Sequence, residues 1–338
     1  MGTRIGNFAA RLVETAWLAA VMVVPLFFNV WSSRVFEPDK LTALRSIAWL
    51  ILAAAFVVWG QSGMPRPTLQ RVRAALATPL VAPVLAMTAA VALSTALSRL
   101  PNLSLWGSYN RLQGLYTWSA YVVLFGAIVL FLRDRAQLER LVLAIILPSL
   151  PIALYAVVQR FGQDPMPWLG NVTRRVASTM GNSIFVAAYL IMVVPLTWVR
   201  LVQAYRRLEA DESTAAVLRL AGYIVMAVVQ LLAIVLSQSR GPFLGLLTGL
   251  ALTLLLLLAE HRRALRGLLA AGVALAAFLV VFNLPGSPLA PLRDVPYLGR
   301  LGQILQTESG TGKVRVLIWG GAKDLFLSDP QRMVIGHG

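Results

Sequence analysis

Cysteine is absent from this chain, which excludes disulfides, thiolate nucleophiles and cysteine-ligated metal centres. Histidine occurs twice, as His261 and His337, too few for a histidine metal site. Acidic residues are also scarce, with 14 Asp and Glu against 30 Lys and Arg, and charged residues make up 13% of the chain. A soluble domain carries about 25%. The apolar stretches hold almost no carboxylate away from their ends, Glu14 lying near the inner end of the first. A proton- or sodium-coupled transporter places an ionisable group near mid-membrane, so this shortage counts against one.

What fills the chain is apolar: 58% of its 338 residues are hydrophobic. Runs of roughly 18 to 22 apolar residues recur along the whole length, each long enough for a ~30 Å hydrocarbon core. The expected fold is all-α and polytopic, with nine crossings at 13–30, 43–60, 79–97, 115–132, 141–159, 183–199, 220–237, 242–259 and 267–283. The first is a long apolar segment followed by further spans, which marks an uncleaved signal-anchor and not a signal peptide.

The formal net charge of +16 does not point to nucleic acid, because the cations form short clusters between apolar runs and no basic-aromatic surface. That pattern encodes topology. With the N-terminus inside, fifteen Lys and Arg fall on inner segments and nine on outer ones, so the N-terminus is expected to be cytoplasmic. Three spans that run inward from the outer face are each preceded by an arginine: Arg111, Arg175 and Arg240. In "SQSRGPFLGL" Pro242 suits a first helical turn and Ser239 is the expected N-cap. Arg240 then stands at a helix N-terminus, where free N–H groups and the macrodipole already favour an anion and a guanidinium adds a planar fork for phosphate oxygens. Asn182 is the expected cap of the helix below Arg174 and Arg175. Gly241, Gly245 and Gly249 form a small-residue stripe open to close helix approach. The competing reading of these arginines is that they are interfacial anchors whose heads reach the lipid headgroups.

Four stretches carry a family resemblance: "SLWGSYNRLQGLYTW" (104–118), "RVASTMGNSIFVAAYL" (175–190), "SQSRGPFLGLLTGL" (237–250) and "KVRVLIWGGAKDLFLSDPQRMVIGHG" (313–338). Their order and character resemble the O-antigen ligase and Wzy-type polymerase superfamily of bacterial envelope glycan enzymes. The resemblance implies a GT-C-like, all-helical membrane glycosyltransferase of the bacterial cytoplasmic membrane, metal-independent and without a cofactor. Its donor would be an undecaprenyl diphosphate-linked glycan on the outer face. The acceptor would be lipid A-core, another glycolipid or a protein for a ligase, and a second carrier-linked repeat for a polymerase. Arg175 and Arg240 match the diphosphate-binding arginines; Arg111 and Arg315 match positions suited to glycan or acceptor contact. Ser183 and Ile184 stand where many relatives carry Pro and Asn.

The family's catalytic histidine lies further along the outer loop, in a His-Asn motif, so the base is expected beyond Gly338; His337 belongs to the Gly-x-Gly part of the loop. Residues 1–283 are therefore read as the membrane domain and 284–338 as the start of a large outer loop, cut mid-loop in an N-terminal fragment. The runner-up reading is a non-enzymatic lipid or polysaccharide transporter whose arginines hold the same diphosphate.

Overall fold

The structure, a computed structural model, describes residues 3–63, 68–166, 170–284, 286–295, 299 and 310–336. Among them are fourteen α-helices and no strand. The first eight are α1 (Arg4–Leu26), α2 (Glu37–Gln61), α3 (Leu69–Ala77), α4 (Val81–Ala96), α5 (Pro101–Trp106), α6 (Leu115–Phe131), α7 (Arg135–Ile146) and α8 (Ser149–Arg160). They are followed by α9 (Ser183–Ala210), α10 (Thr214–Leu236), α11 (Arg240–Leu257), α12 (Arg262–Asn283), α13 (Gly310–Leu327) and α14 (Pro330–Ile335).

Seven segments are long and apolar enough to cross a membrane: α1, α2, the run 135–160 formed by α7 and α8, and α9 to α12. The expected crossings at 79–97 and 115–132 are occupied by α4 and α6, apolar helices of 16 and 17 residues. At 1.5 Å per residue they rise about 24 to 26 Å, short of the ~30 Å core. Polar caps outside the apolar runs set the starts of α1 and α7. Thr3 accepts from the Gly6 N–H at 3.0 Å and opens α1, which consequently runs from Arg4 to Leu26 instead of lying at 13–30. Glu14 is thereby well inside that helix. Asp134 and Gln137 form a reciprocal capping box on α7. The 135–160 run is interrupted at 147–148, where Pro148 has no N–H to continue the helical ladder.

The chain divides into two compact units, residues 1–148 with 324–338, and residues 149–323. In the first unit α1 packs along α2 and both pack on α6, burying Val13, Trp17, Leu44, Ala48, Ile51 and Ala127. Polar side chains tie these helices together. Glu14 accepts from the Arg140 guanidinium at 2.7 and 2.6 Å and from Gln137 Nε2 at 2.9 Å, fastening α7 to α1. Lys40, 9% exposed, donates to the Val24 and Pro25 carbonyls at 3.0 and 2.8 Å, at the end of α1 where carbonyls have no intrahelical partner.

In the second unit α10 packs on α8 and α9 through small and branched side chains, among them Ala153, Ala156, Ala187, Val194 and Ala233, all fully buried. Small residues let helix backbones approach closely, the packing mode available where lipid removes the hydrophobic drive. Gln230 is fully buried and donates to Ser149 Oγ at 2.7 Å and Thr197 Oγ1 at 3.0 Å, linking all three helices. Helices α11 and α12 have one buried residue each among the described residues, Pro242 and Phe282, the rest being half-buried or exposed. Of the glycine stripe on α11, Gly245 touches Ile191 of α9; beside Gly241 and Gly249 there is open space.

Candidate functional site

Three arginines, Arg34, Arg45 and Arg293, are spent on internal acceptors. Arg45 donates to Thr117 Oγ1 at 2.6 and 2.9 Å and to the carbonyls of Leu112 and Trp106 at 2.6 and 3.2 Å, with Tyr116 stacked beneath it. Arg34 donates to the Tyr109 carbonyl at 2.7 Å. Arg293 donates to the Phe282 and Leu284 carbonyls and closes the end of α12. These three are structural.

Arg175 differs. It lies on the segment between α8 and α9, is half-buried, and its buried Nε has no hydrogen-bond partner. Its pKa is lowered below the ordinary arginine value, first by burial and then by the neighbouring Arg174 charge. The guanidinium remains a cation at any physiological pH. What this environment lacks is compensating negative charge: among the described residues no carboxylate pairs with Arg175 or Arg315.

Arg240 is the first residue of α11, with Pro242 in the first turn as expected. Ser239 occupies the N-cap position without capping. Gln238 before it has a left-handed backbone, φ +51, and the Ser239 hydroxyl turns back to the Ser237 carbonyl at 3.4 Å. The expected serine cap is therefore corrected: the Ser239 side chain makes no cap hydrogen bond to the first turn of α11. Asn182 does cap as expected, accepting from the Ile184 N–H at 2.9 Å.

The second unit brings Arg175, Arg240 and Arg315 together. Arg315, exposed on α13, acts electrostatically on Arg240, and Arg175 does so as well. Arg240 therefore feels the repulsion of two like charges, and an anion carrying more than one charge lowers that energy. Arg111 belongs to the first unit, on the 107–114 loop, where its Nε is 4.0 Å from Glu37 Oε2 and its side chain is 64% exposed. His337 lies outside the described residues.

Backbone strain falls beside the same arginines. Among the described residues four non-glycine residues have positive φ, and three of them are Leu112, Ser178 and Gln238, within three residues of Arg111, Arg175 and Arg240. Each such conformation costs roughly 1–2 kcal/mol and persists where the surroundings over-determine it. Residues that the sequence reading missed supply that constraint: Arg45 for Leu112, and Gln159 for Ser178, whose N–H it accepts at 2.7 Å. A glutamine in the apolar run "ALYAVVQR" was the available signal, since a buried amide needs specific partners.

Among the described residues the chain is all-helical, with seven helical segments long and apolar enough to cross a membrane, and in its second unit Arg240, at the start of α11, lies in the field of Arg315 and Arg175. No family model, no curated protein and no solved structure matches the chain.

Proposed function

We propose that this protein is an envelope glycan transferase of the O-antigen ligase type, drawing on an undecaprenyl diphosphate-linked glycan at the outer face of the bacterial cytoplasmic membrane. The observation that carries the reading is the grouping of Arg175, Arg240 and Arg315 in one unit without a matching carboxylate on Arg175 or Arg315. In the reaction an acceptor hydroxyl oxygen attacks the anomeric carbon of the glycan. The bond from that carbon to the diphosphate oxygen breaks, the lipid diphosphate leaves with the electron pair, and the acceptor proton passes to a base. Charge grows on the leaving diphosphate, and Arg175 and Arg240 are set to neutralise it. Arg315 and Arg111 serve the glycan or acceptor. In this reading the GT-C-like membrane domain has nine crossings, α4 and α6 being shortened spans, with a cytoplasmic N-terminus and residues 284–338 opening an outer loop.

The test is Arg240→Ala in a bacterial cell, with carrier-linked glycan measured on each side of the membrane. Losing one charge-assisted pair, worth about 1.5–3 kcal/mol, slows transfer roughly 10- to 150-fold. Unreacted carrier-linked glycan then accumulates outside. Accumulation inside instead identifies a transporter, and no change at all removes the diphosphate reading. The product distinguishes ligase from polymerase by the acceptor to which the glycan is joined.

A further inference from the structure

We infer that Gln159 is the positioning residue of the arginine site: its buried carboxamide sets where the backbone holds Arg175. The inference rests on the reading of Arg175 as a diphosphate ligand.

The Nε of Arg175 has no internal hydrogen bond, so the place from which the guanidinium projects is set by the backbone on either side. Upstream, Arg160 Nη1 donates to the Thr173 carbonyl at 3.1 Å, and Asn171 Oδ1 accepts from the Arg174 N–H at 2.9 Å. Downstream, Gln159 Oε1 accepts from two successive N–H groups, Ala177 at 2.9 Å and Ser178 at 2.7 Å. Val176, between Arg175 and these bonds, is fully buried. Ser178 is held left-handed at φ +46, and its hydroxyl donates to the Ile152 carbonyl at 2.7 Å. Both grips come from the last turn of α8, Gln159 and Arg160 being adjacent.

The carboxamide has a fixed orientation. Its Nε2 donates to Asp164 Oδ2 at 2.9 Å, and Asp164 also accepts from Tyr155 Oη, 3.0 Å from each carboxylate oxygen, and from the Met166 N–H at 3.0 Å. A carboxylate only accepts, so the amide nitrogen must face Asp164 and the oxygen must face the arginine segment. Gln159 is completely buried, and a side chain there needs one double acceptor and one donor at that spacing. Glutamine supplies both.

The experiment measures binding of farnesyl diphosphate, a short lipid diphosphate, to the purified chain in nanodiscs, alongside its thermal unfolding. Arg175→Ala establishes the diphosphate reading by losing binding. Gln159→Leu is expected to weaken binding tenfold or more. Asp164→Asn opens no cavity but leaves one acceptor oxygen where two served Gln159 Nε2 on one side and the Met166 N–H on the other, and is expected to weaken binding about three- to tenfold; it decides the matter if Gln159→Leu does not fold. Gln230→Leu is the matched control, a second fully buried glutamine whose Nε2 makes two side-chain hydrogen bonds in the same unit. It should lower the unfolding temperature and leave binding within twofold. Wild-type binding in Asp164→Asn and in any folded Gln159→Leu, with binding lost in Arg175→Ala, overturns the positioning role and leaves the diphosphate site standing. Equal losses in Gln159→Leu and Gln230→Leu reduce Gln159 to general packing and also overturn it. Unchanged binding in Arg175→Ala removes the diphosphate reading and this inference together.

Discussion

Replacing Gly107 with alanine probes how the loop that carries Arg111 is closed. Gly107 has φ +83 and ψ 169, a region essentially restricted to glycine, where a side chain costs roughly 1–3 kcal/mol. A Cβ there would stand 2.2 Å from the Gln113 nitrogen, 2.4 Å from the Leu112 carbonyl carbon and 2.8 Å from the Gly114 nitrogen. These are backbone atoms with no rotamer to change, and overpacking adds about 1–3 kcal/mol. The expected total for Gly107→Ala is about 4 kcal/mol. Gly114 faces it with φ −110, which any residue adopts, so its penalty is steric alone. A Cβ on Gly114 would meet the Leu105 oxygen at 2.4 Å and the Gly107 nitrogen at 2.5 Å, giving about 2 kcal/mol for Gly114→Ala. Gly126 in the interior of α6 has nothing within 4 Å of its Cβ position, and alanine there should stabilise the helix by up to about 1 kcal/mol. Thermal unfolding in detergent, followed by tryptophan emission, ranks the three against wild type. Trp106, one of nine tryptophans contributing to that emission, is adjacent to the loop and packs edge-on against Tyr116 at 5.3 Å. The predicted order of melting temperature is Gly126→Ala at or above wild type, then Gly114→Ala, then Gly107→Ala. A Gly107→Ala protein that melts with wild type would refute the closed loop.

Two further substitutions test the side chains that tie the first unit together. Arg45→Lys keeps the charge but offers one ammonium where the guanidinium reaches Thr117, Leu112 and Trp106, and should destabilise by about 2 kcal/mol in denaturant titration; an unshifted midpoint would show those contacts to be idle. Glu14→Gln removes the charge facing Arg140, whose side chain is half exposed, and should cost about 1 kcal/mol, with the loss absent when Arg140 is already glutamine. Strictly additive effects in that double-mutant cycle would mean that the pair contributes nothing.

The segments that form helices, and their apolar character, were legible in the chain, because a run of about twenty apolar residues without carboxylates has few other ways to satisfy its backbone. Each of the nine expected crossings overlaps a helix or, at 141–159, the α7–α8 pair, and seven of these segments are long and apolar enough to cross a membrane. Helix starts at Asn182 and around Pro242 were legible for the same local reason: caps and prolines act within one turn. The helix start at Arg4 depended on Thr3, a cap lying well before the apolar core of the first run. The serine at 239 misled, because capping depends on the hydroxyl's direction, and the left-handed turn at Gln238 reverses it. Position and resemblance marked Arg111, Arg175, Arg240 and Arg315 in the chain, but said nothing of what neutralises them or of what Arg34, Arg45 and Arg293 do. Only the tertiary structure separated Arg34, Arg45 and Arg293, spent on carbonyls and a hydroxyl, from Arg175, which is half-buried near Arg240 without a carboxylate of its own. That distinction belongs to packing: a charge becomes available for a ligand when its neighbours in space, far apart in the chain, leave it unneutralised.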